Sequence, residues 1–265
     1  MTPPLFRAAE VPEVGGPVAL DGSEGRHAGH ALRVRPGEHI RVGDGRGVVA
    51  DCEVTHTAPG RVDAVVTARD EVARPSPAVT VVQALPKSDR SELAVELATE
   101  AGADRIVPWQ ADRCVSRWTG PKVAKGLTKW GNAARSAAKQ SRRPWEPEIG
   151  ELVQTAGLVA LVDDEVAAGS AVLVLHEDGA VPFGPAVTSS AGAARLVVVV
   201  GPEGGVSDAE IEAITDAGAR AVVLGPEVLR TSTAATVALA ALGVLTTRWS
   251  DRPTTLEPSA PSPGK

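Results

Sequence analysis

The 265-residue chain is poor in the residue patterns that usually announce a chemistry. It has only two cysteines, Cys52 and Cys114, far apart and outside any metal-ligand spacing. They read as two ordinary thiols in a reducing cytoplasm, not as a disulfide or zinc framework. No run of about 18 or more apolar residues occurs, which excludes a long apolar membrane-spanning helix. The opening MTPPLFRAAEVPE lacks an apolar signal core, so no secretory leader is expected. HExxH, paired CxxC and catalytic-serine elbow patterns are absent, and no metal is expected. Two glycine-rich loops occur, but neither is followed by the Gly-Lys-Ser/Thr of a Walker loop, and the dinucleotide fingerprint GxGxxG is missing. The net charge of −6 argues against a surface coated in positive charge.

What is present is a hydrophobic content of 43%, enough for a real core. The length allows one large domain or two small ones. Residues 1–73 are β-rich in pattern. Short alternating runs at Pro17–Leu20, His39–Val42, Gly47–Val54 and Arg61–Ala68 are separated by Gly, Pro or Asp turns, which suits a small barrel. Arg74-Pro75-Ser76-Pro77 reads as a linker, with a second domain over residues 77–250. There strands and helices alternate, as in a mostly parallel α/β sheet. Strands are expected at Val79–Leu85, Arg105–Trp109, Leu158–Val162, Ala171–Leu175, Leu196–Val200 and Ala221–Leu224. Helices are expected from about Ser91 to Ala101 and from about Lys122 to Ser141. The Pro/Ser/Thr-rich tail, 253–265, reads as disordered.

Two glycine-proline turns stand out, each directly after an apolar run. RLVVVVGPEGGVSDAEI spans Arg195 to Ile211, and RAVVLGPEVLRTSTAATVALAAL spans Arg220 to Leu242. The unbroken Val197–Val200 run suits a strand covered on both faces. Ser207 followed by Glu210 spells a capping box, so a helix starts after Ser207. Thr231 to Leu245 is alanine-rich and reads as a buried helix. Strand ends beside helix N-termini are where open α/β sheets bind ligands, although ordinary strand-to-helix turns have the same look.

Charge is segregated along the chain. Between Arg113 and Arg143 there are nine Lys/Arg and no Asp or Glu, and four of the five tryptophans lie between Trp109 and Trp145. On a helix, Val123, Leu127, Trp130, Ala134, Ala137 and Ala138 share one face, and Lys122, Lys125, Lys129, Arg135 and Lys139 the other. A solvated face normally mixes signs. A one-signed face beside aromatics points to nucleic-acid phosphates. Trp118 and Trp130 read as packing residues.

GPEGG before a capped helix, followed by LGPEVLRTSTA, closely resembles the C-terminal signature of the RsmE-type 16S ribosomal RNA uridine methyltransferases of the SPOUT superfamily. KSDRSELAVELATEAGADRIVPWQADRCV (Lys87–Val115), KWGNAARSAAKQSRRPWEPEI (Lys129–Ile149) and HAGHALRVRPGE (His27–Glu38) resemble three further segments of that family. The resemblance runs to about Trp249. It implies a PUA-like N-terminal β-barrel that binds RNA, and a SPOUT α/β domain with a C-terminal trefoil knot. It further implies a cytoplasmic homodimer that binds S-adenosylmethionine and methylates N3 of a uridine in 16S rRNA of the 30S subunit. Another SPOUT activity, ribose 2′-O or a different base, and a non-catalytic ribosome-assembly factor are the alternatives.

Carried over residue by residue, the resemblance points to three cofactor loops. They comprise Leu175 and His176; Val200, Gly201, Pro202, Glu203 and Gly205; and Leu224, Gly225, Leu229 and Thr231. Leu224 and Leu229 would cover the adenine faces, and Glu203 would order its loop. Uridine N3 must lose a proton before it attacks, so the site needs a base or a cation that favours the N3 anion. Arg230 is the leading catalytic candidate and Arg7 the second. The family commonly has T-E-T-A after the arginine; here Ser232 follows Thr231, which leaves the general base unassigned. RNA contacts are expected from Arg26, Arg33 and Arg35 in the first domain. In the basic segment they are expected from Arg113, Arg117, Lys122, Lys125, Lys129, Arg135, Lys139, Arg142 and Arg143.

Overall fold

The computed structural model describes residues 3–87 and 90–249; the tail expected to be disordered lies outside the described residues. The chain forms two compact units. Among the described residues, one is built from those up to Arg74 together with Lys139–Glu146, the other from Pro75–Ala138 and from Pro147 to Trp249.

The first unit is a five-stranded sheet. Its strands are β1 (Leu5–Arg7), β2 (Pro17–Leu20), β3 (His39–Gly43), β4 (Val48–Ala58) and β5 (Arg61–Glu71), in the order β1-β3-β4-β5-β2. Only the β1–β3 pair is parallel. The period-2 alternation does what it predicts. Val62, Ala64 and Val66 of β5 and Val18 and Leu20 of β2 point into one core with Phe6, Ile40 and Val42. Cys52 is enclosed in that core, and burial, helped by Asp51, pushes its thiol up to about 11. It is an inert packing thiol at neutral pH.

Between β2 and β3 lie a short helix, α1 (Gly22–Arg26), and one π-helical turn, His27–Ala31. The segment Lys139–Glu146 is fixed to this unit by polar contacts. Glu146 pairs with Arg7 Nε at 2.9 Å, and the Arg143 carbonyl accepts from Arg7 at 3.0 Å. Lys139 Nζ reaches Glu24 Oε1 at 2.7 Å, while Glu24 Oε2 accepts the Arg7 main-chain N–H at 3.0 Å. Trp145 Nε1 donates to the Val72 carbonyl, and the Arg74 guanidinium lies 4.1 Å from the Trp145 ring centroid.

The second unit contains β6 (Ala78–Ala84), α2 (Ser91–Glu100), β7 (Arg105–Gln110), α3 (Pro121–Gln140), β8 (Glu148–Ile149) and β9 (Val153–Gln154). There follow α4 (Thr155–Ala167), β10 (Ala171–Leu175), β11 (Val181–Pro182), α5 (Phe183–Thr188), β12 (Arg195–Val200), α6 (Asp208–Asp216), β13 (Arg220–Val223) and α7 (Thr231–Leu245). The strand order is β11-β13-β10-β12-β6-β7-β8, with β9 also on β7, and every pair is parallel. In β6 and β12 the side chains of both faces are buried, Val79 to Ala84 and Leu196 to Val200 alike. The sheet is therefore covered on both sides, and unbroken apolar runs are what such strands require.

One expected strand is a helix. Leu158–Val162 lies within α4, where Leu158, Val162 and Glu165 are the buried positions. That spacing is helical, and a short apolar run cannot reveal it without its flanks.

The segment just after α7 is locked by a buried ion pair. Arg248 Nη1 sits 2.8 Å from Asp104 Oδ2, with side-chain exposures of 6% and 13%. The same guanidinium donates to the carbonyls of Pro77 and Gly102, and Asp104 Oδ2 also accepts the Val79 N–H at 2.8 Å. Removing one partner leaves a buried charge uncompensated. Arg248→Ala is expected to cost about 3 kcal/mol in urea unfolding, with Arg248→Lys intermediate; an unchanged midpoint would refute the lock.

Candidate active site

Parallel strands place all their carboxyl ends along one edge. Register sharpens this: Val222, Leu175, Val200 and Gln83 stand at one level across four adjacent strands, β13, β10, β12 and β6. The chain leaves the sheet just beyond this level. The three loops nominated from the sequence, after Leu175, after Val200 and after Val223, therefore emerge side by side. His176 keeps the strand pattern one step further, its N–H donating to the Val222 carbonyl at 3.0 Å.

The middle loop is held from both sides. Glu203 Oε1 accepts the Lys87 N–H at 3.1 Å, which ties it to the loop after β6. Arg113 Nη1 donates to the Gly204 carbonyl at 3.3 Å, which ties it to the loop after β7. Gly205 turns the chain at φ +73°, a conformation that side-chain-bearing residues rarely adopt. Glu203 thus joins the glycine loop to the loop after β6.

Behind the loop lies Glu210, 2% exposed. The expected capping box is formed: Ser207 Oγ accepts from the Glu210 N–H, and Glu210 Oε2 accepts the Ser207 N–H at 3.0 Å. Glu210 Oε1 additionally accepts from the Asp112 N–H at 2.9 Å and the Thr155 hydroxyl at 2.7 Å. Burial pushes this carboxyl up, but the N–H groups of Asp112 and Ser207 and the two hydroxyls outweigh it, so it sits below its ordinary value.

The third loop ends at Arg230, the N-cap position of α7. Arg230 is exposed, and its guanidinium has no hydrogen bond or ion pair among the described residues. Leu224 is half-buried, while Gly225 and Leu229 are exposed. Thr231 and Ser232 are buried in the first turn of α7. With Ser232 there, that turn carries no carboxylate. Gln83, 1% exposed, donates through Nε2 to the Thr231 carbonyl at 3.2 Å and the Ala84 carbonyl at 3.1 Å. Its Oε1 is buried without a partner among the described residues. Sequence reasoning missed Gln83, Thr155 and Asp112. The signal for Gln83 was a lone amide in the apolar run VTVVQA.

Arg7, in the first unit, has a side chain only 11% exposed and is committed to Glu146 and the Arg143 carbonyl. Burial lowers its pKa, opposed by Glu146, Asp44 and Glu24. Arg26, Arg33 and Arg35 of the same unit are exposed. Arg33 and Arg142 hold left-handed backbone, φ 53° and 57°, a strained choice for arginine that recurs at functional sites. His27 stands edge-on to Phe6.

On α3, Lys122, Lys125, Lys129 and Arg135 are exposed and Trp130 is enclosed, as the helical periodicity predicts. The expected absence of acidic partners does not hold in space. Lys129 meets Glu92 of α2 at 3.2 Å and Lys139 meets Glu24 of α1 at 2.7 Å. These partners come from distant sequence, which a local charge count cannot see. Arg117 donates to the Asp112 carbonyl at 2.7 Å. Among the described residues no cluster of three His, Cys, Asp or Glu side chains could hold a metal.

Because the folded state holds Glu210 ionised, its contribution is present above the ordinary carboxylate value of 4.5 and is lost as pH falls through the lower folded value. Glu210→Gln is expected to lose about 1.5–3 kcal/mol at pH 7, the worth of hydrogen bonds to a charged group. The difference from the parent should shrink below about pH 4. Urea unfolding at both pH values checks this; an equal difference at both would overturn the assignment.

A family model described as an RNA methyltransferase domain matches residues 74–243, and one described as an RNA methyltransferase PUA domain matches residues 20–67. The chain is 53% identical over 245 residues to ribosomal RNA small subunit methyltransferase E of Mycobacterium bovis, covering 92% of this chain and 93% of that one. The protein of the same name from Bacillus subtilis is 30% identical over 230 residues, covering 86% and 90%. The crystal structure of ribosomal RNA small subunit methyltransferase E from Neisseria gonorrhoeae bound to S-adenosyl methionine superposes with a TM-score of 0.81 at 29% identity, over 92% and 98% of the two chains. With an RNA methyltransferase domain behind a PUA-like unit, and close relatives along nearly its whole length, the chain belongs to the ribosomal RNA small subunit methyltransferase E family.

Proposed function

We propose that this protein transfers the methyl group of S-adenosylmethionine to N3 of a uridine in 16S rRNA, within the 30S subunit. The observation that carries the reading is the common level of Leu175, Val200 and Val222, from which three loops of a family methyltransferase domain diverge together. The edge suits the cofactor. It combines half-buried Leu224 and partly exposed Leu229 as apolar walls with main-chain groups of the glycine loop, and Gln83 Oε1 adds a buried acceptor at the same level. Apolar walls with a few polar groups are ordinary ligand-site chemistry.

Bound there, the sulfonium supplies an already activated methyl group, so the protein has to hold and orient rather than activate it. Leu175, His176, Val200, Gly201, Pro202, Glu203, Gly205, Leu224, Gly225, Leu229 and Thr231 would hold it. Glu203, bonded to Lys87, and Gly205 fix the shape of the middle loop. Arg230 presents a guanidinium without a partner among the described residues. It favours the N3 anion by attracting the charge that deprotonation leaves on O2 and O4. Arg7 acts through the structure of its own unit. Arg26, Arg33, Arg35, Arg142 and Arg143, with Lys122, Lys125 and Arg135, provide phosphate contacts, because RNA affinity rests largely on such cations.

We also read the protein as a cytoplasmic homodimer with a knotted second domain. Val237 and Val244, one heptad apart on α7 and 43% and 75% exposed, supply apolar surface for a second copy. No helix among the described residues is long and apolar enough to cross a membrane.

Incubating the protein and S-adenosylmethionine with 30S subunits that lack the modification should yield 3-methyluridine, read by nucleoside mass spectrometry. Arg230→Ala should lower kcat about 100-fold, the usual cost of removing one group that stabilises developing charge. A 2′-O-methyl product, or an unimpaired Arg230→Ala protein, would overturn the corresponding part of the assignment.

A further inference from the structure

A second concavity lies in the methyltransferase unit, outside the three cofactor loops. It encloses about 270 Å³. Its walls come from the start of α2, the segment after β7 and the first half of α3, and Trp118, Gly126, Trp130, Glu92, Lys129 and Arg117 line it. That volume lies just under the usual range of small-molecule pockets, about 300–1,000 Å³, and so suits a ligand of nucleoside size.

Its composition is selective. Trp130 is enclosed, its Nε1 donating to Ser91 Oγ at 2.8 Å. Trp118 meets Trp130 edge to face, with centroids 5.3 Å apart at 77°, but stays partly exposed. Gly126 permits this: a Cβ there would lie 2.7 Å from the Trp118 ring, so only glycine lets the indole settle against α3. The Trp118 main-chain N–H is held by Gln110 Oε1 at 2.7 Å, which fixes where the ring emerges. The rim is charged, with Glu92 and Lys129 paired at 3.2 Å and both substantially exposed. An exposed pair of this kind is worth little to stability, so exchanging it for ligand contacts costs little.

We propose that this cavity receives one unstacked base of the RNA substrate, stacked on Trp118 and read along its edge by Glu92 and Lys129. The proposal rests on the reading that the substrate is RNA. Flat aromatic ligands with hydrogen-bonding edges are what a partly exposed indole beside a carboxylate and an ammonium recognises, and splayed bases on aromatic rings are the usual mode of single-stranded RNA recognition. Glu92 accepts from the amino edge of a guanine, cytosine or adenine, while uracil offers one donor only. None of the cofactor-loop residues line the cavity, so the base it takes is a neighbour of the methylated uridine rather than the uridine itself. Lys129 also belongs to the exposed basic row of α3, so the cavity opens where phosphates are expected.

The test uses the full chain and single-stranded RNA oligonucleotides spanning the methylated site, with binding followed by fluorescence anisotropy. Trp118→Ala should weaken binding roughly tenfold or more, the measure of one base stacked on an aromatic ring, and Trp118→Phe should restore most of it. The slope of log affinity against log salt should stay unchanged in Trp118→Ala, because no phosphate contact is lost, whereas Lys125→Ala should flatten it. Glu92→Gln, which keeps the shape of the rim, should change the preference for the base at one position. An oligonucleotide made abasic at that position should bind the parent and Trp118→Ala equally. Calorimetric S-adenosylmethionine binding reports whether each variant is folded. If folded Trp118→Ala and Glu92→Gln bind RNA as the parent does, the pocket is not a base site and the methyltransferase reading stands. If the parent binds no RNA, the base site falls, while the methyltransferase reading is decided by methylation of 30S subunits.

Discussion

A buried carboxylate that keeps its charge holds the functional edge in place. Glu210 is removed from water, and an isolated charge there would be prohibitively costly. It is tolerated because its two oxygens receive main-chain N–H groups from Ser207 and Asp112 and hydroxyls from Ser207 and Thr155. Those donors belong to the entrance of α6, the loop after β7 and the first turn of α4. All must be in place together for the ion to be satisfied, so one side chain makes three loops a single cooperative object. The glycine loop ends two residues before Ser207, and its geometry is inherited from that object.

The same logic of few, fully used polar anchors recurs through the second unit. The sheet interior is almost wholly valine, leucine, isoleucine and alanine, and non-directional apolar contact does not by itself fix the position of a helix along the sheet. Directional bonds supply what it lacks. The Gln83 amide pins the first turn of α7, and Arg248 with Asp104 pins the chain just beyond its last. Held at both ends, α7 presents Arg230 from a fixed N-terminus.

The parts visible in the sequence were those that depend on local pattern. Val197–Val200 announced a doubly covered strand, Ser207 and Glu210 a capped helix, and the alternation of Lys122, Lys125 and Lys129 with Leu127 and Trp130 a two-faced one. What stayed hidden depended on distance along the chain. Asp112 and Thr155 are 98 and 55 residues from Glu210, so no window contains the network. Glu24 and Glu92 neutralise lysines in a stretch that has no acid of its own. The run at Leu158–Val162 was ambiguous for another reason. Five apolar-rich residues fit either a strand or a helix, and only burial at Leu158, Val162 and Glu165 distinguishes them.

The first unit is not a contiguous piece of chain. Residues 139–146 complete it by giving Arg7 its counter-ion and Val72 its indole donor. A fragment ending at Arg74 would leave the Arg7 guanidinium buried without Glu146 and strip the cover from the end of β5. This PUA-like unit therefore cannot be transplanted as a cassette. Any recombination that exchanged N-terminal halves between relatives would have to carry the eight-residue segment along, or re-evolve its partner.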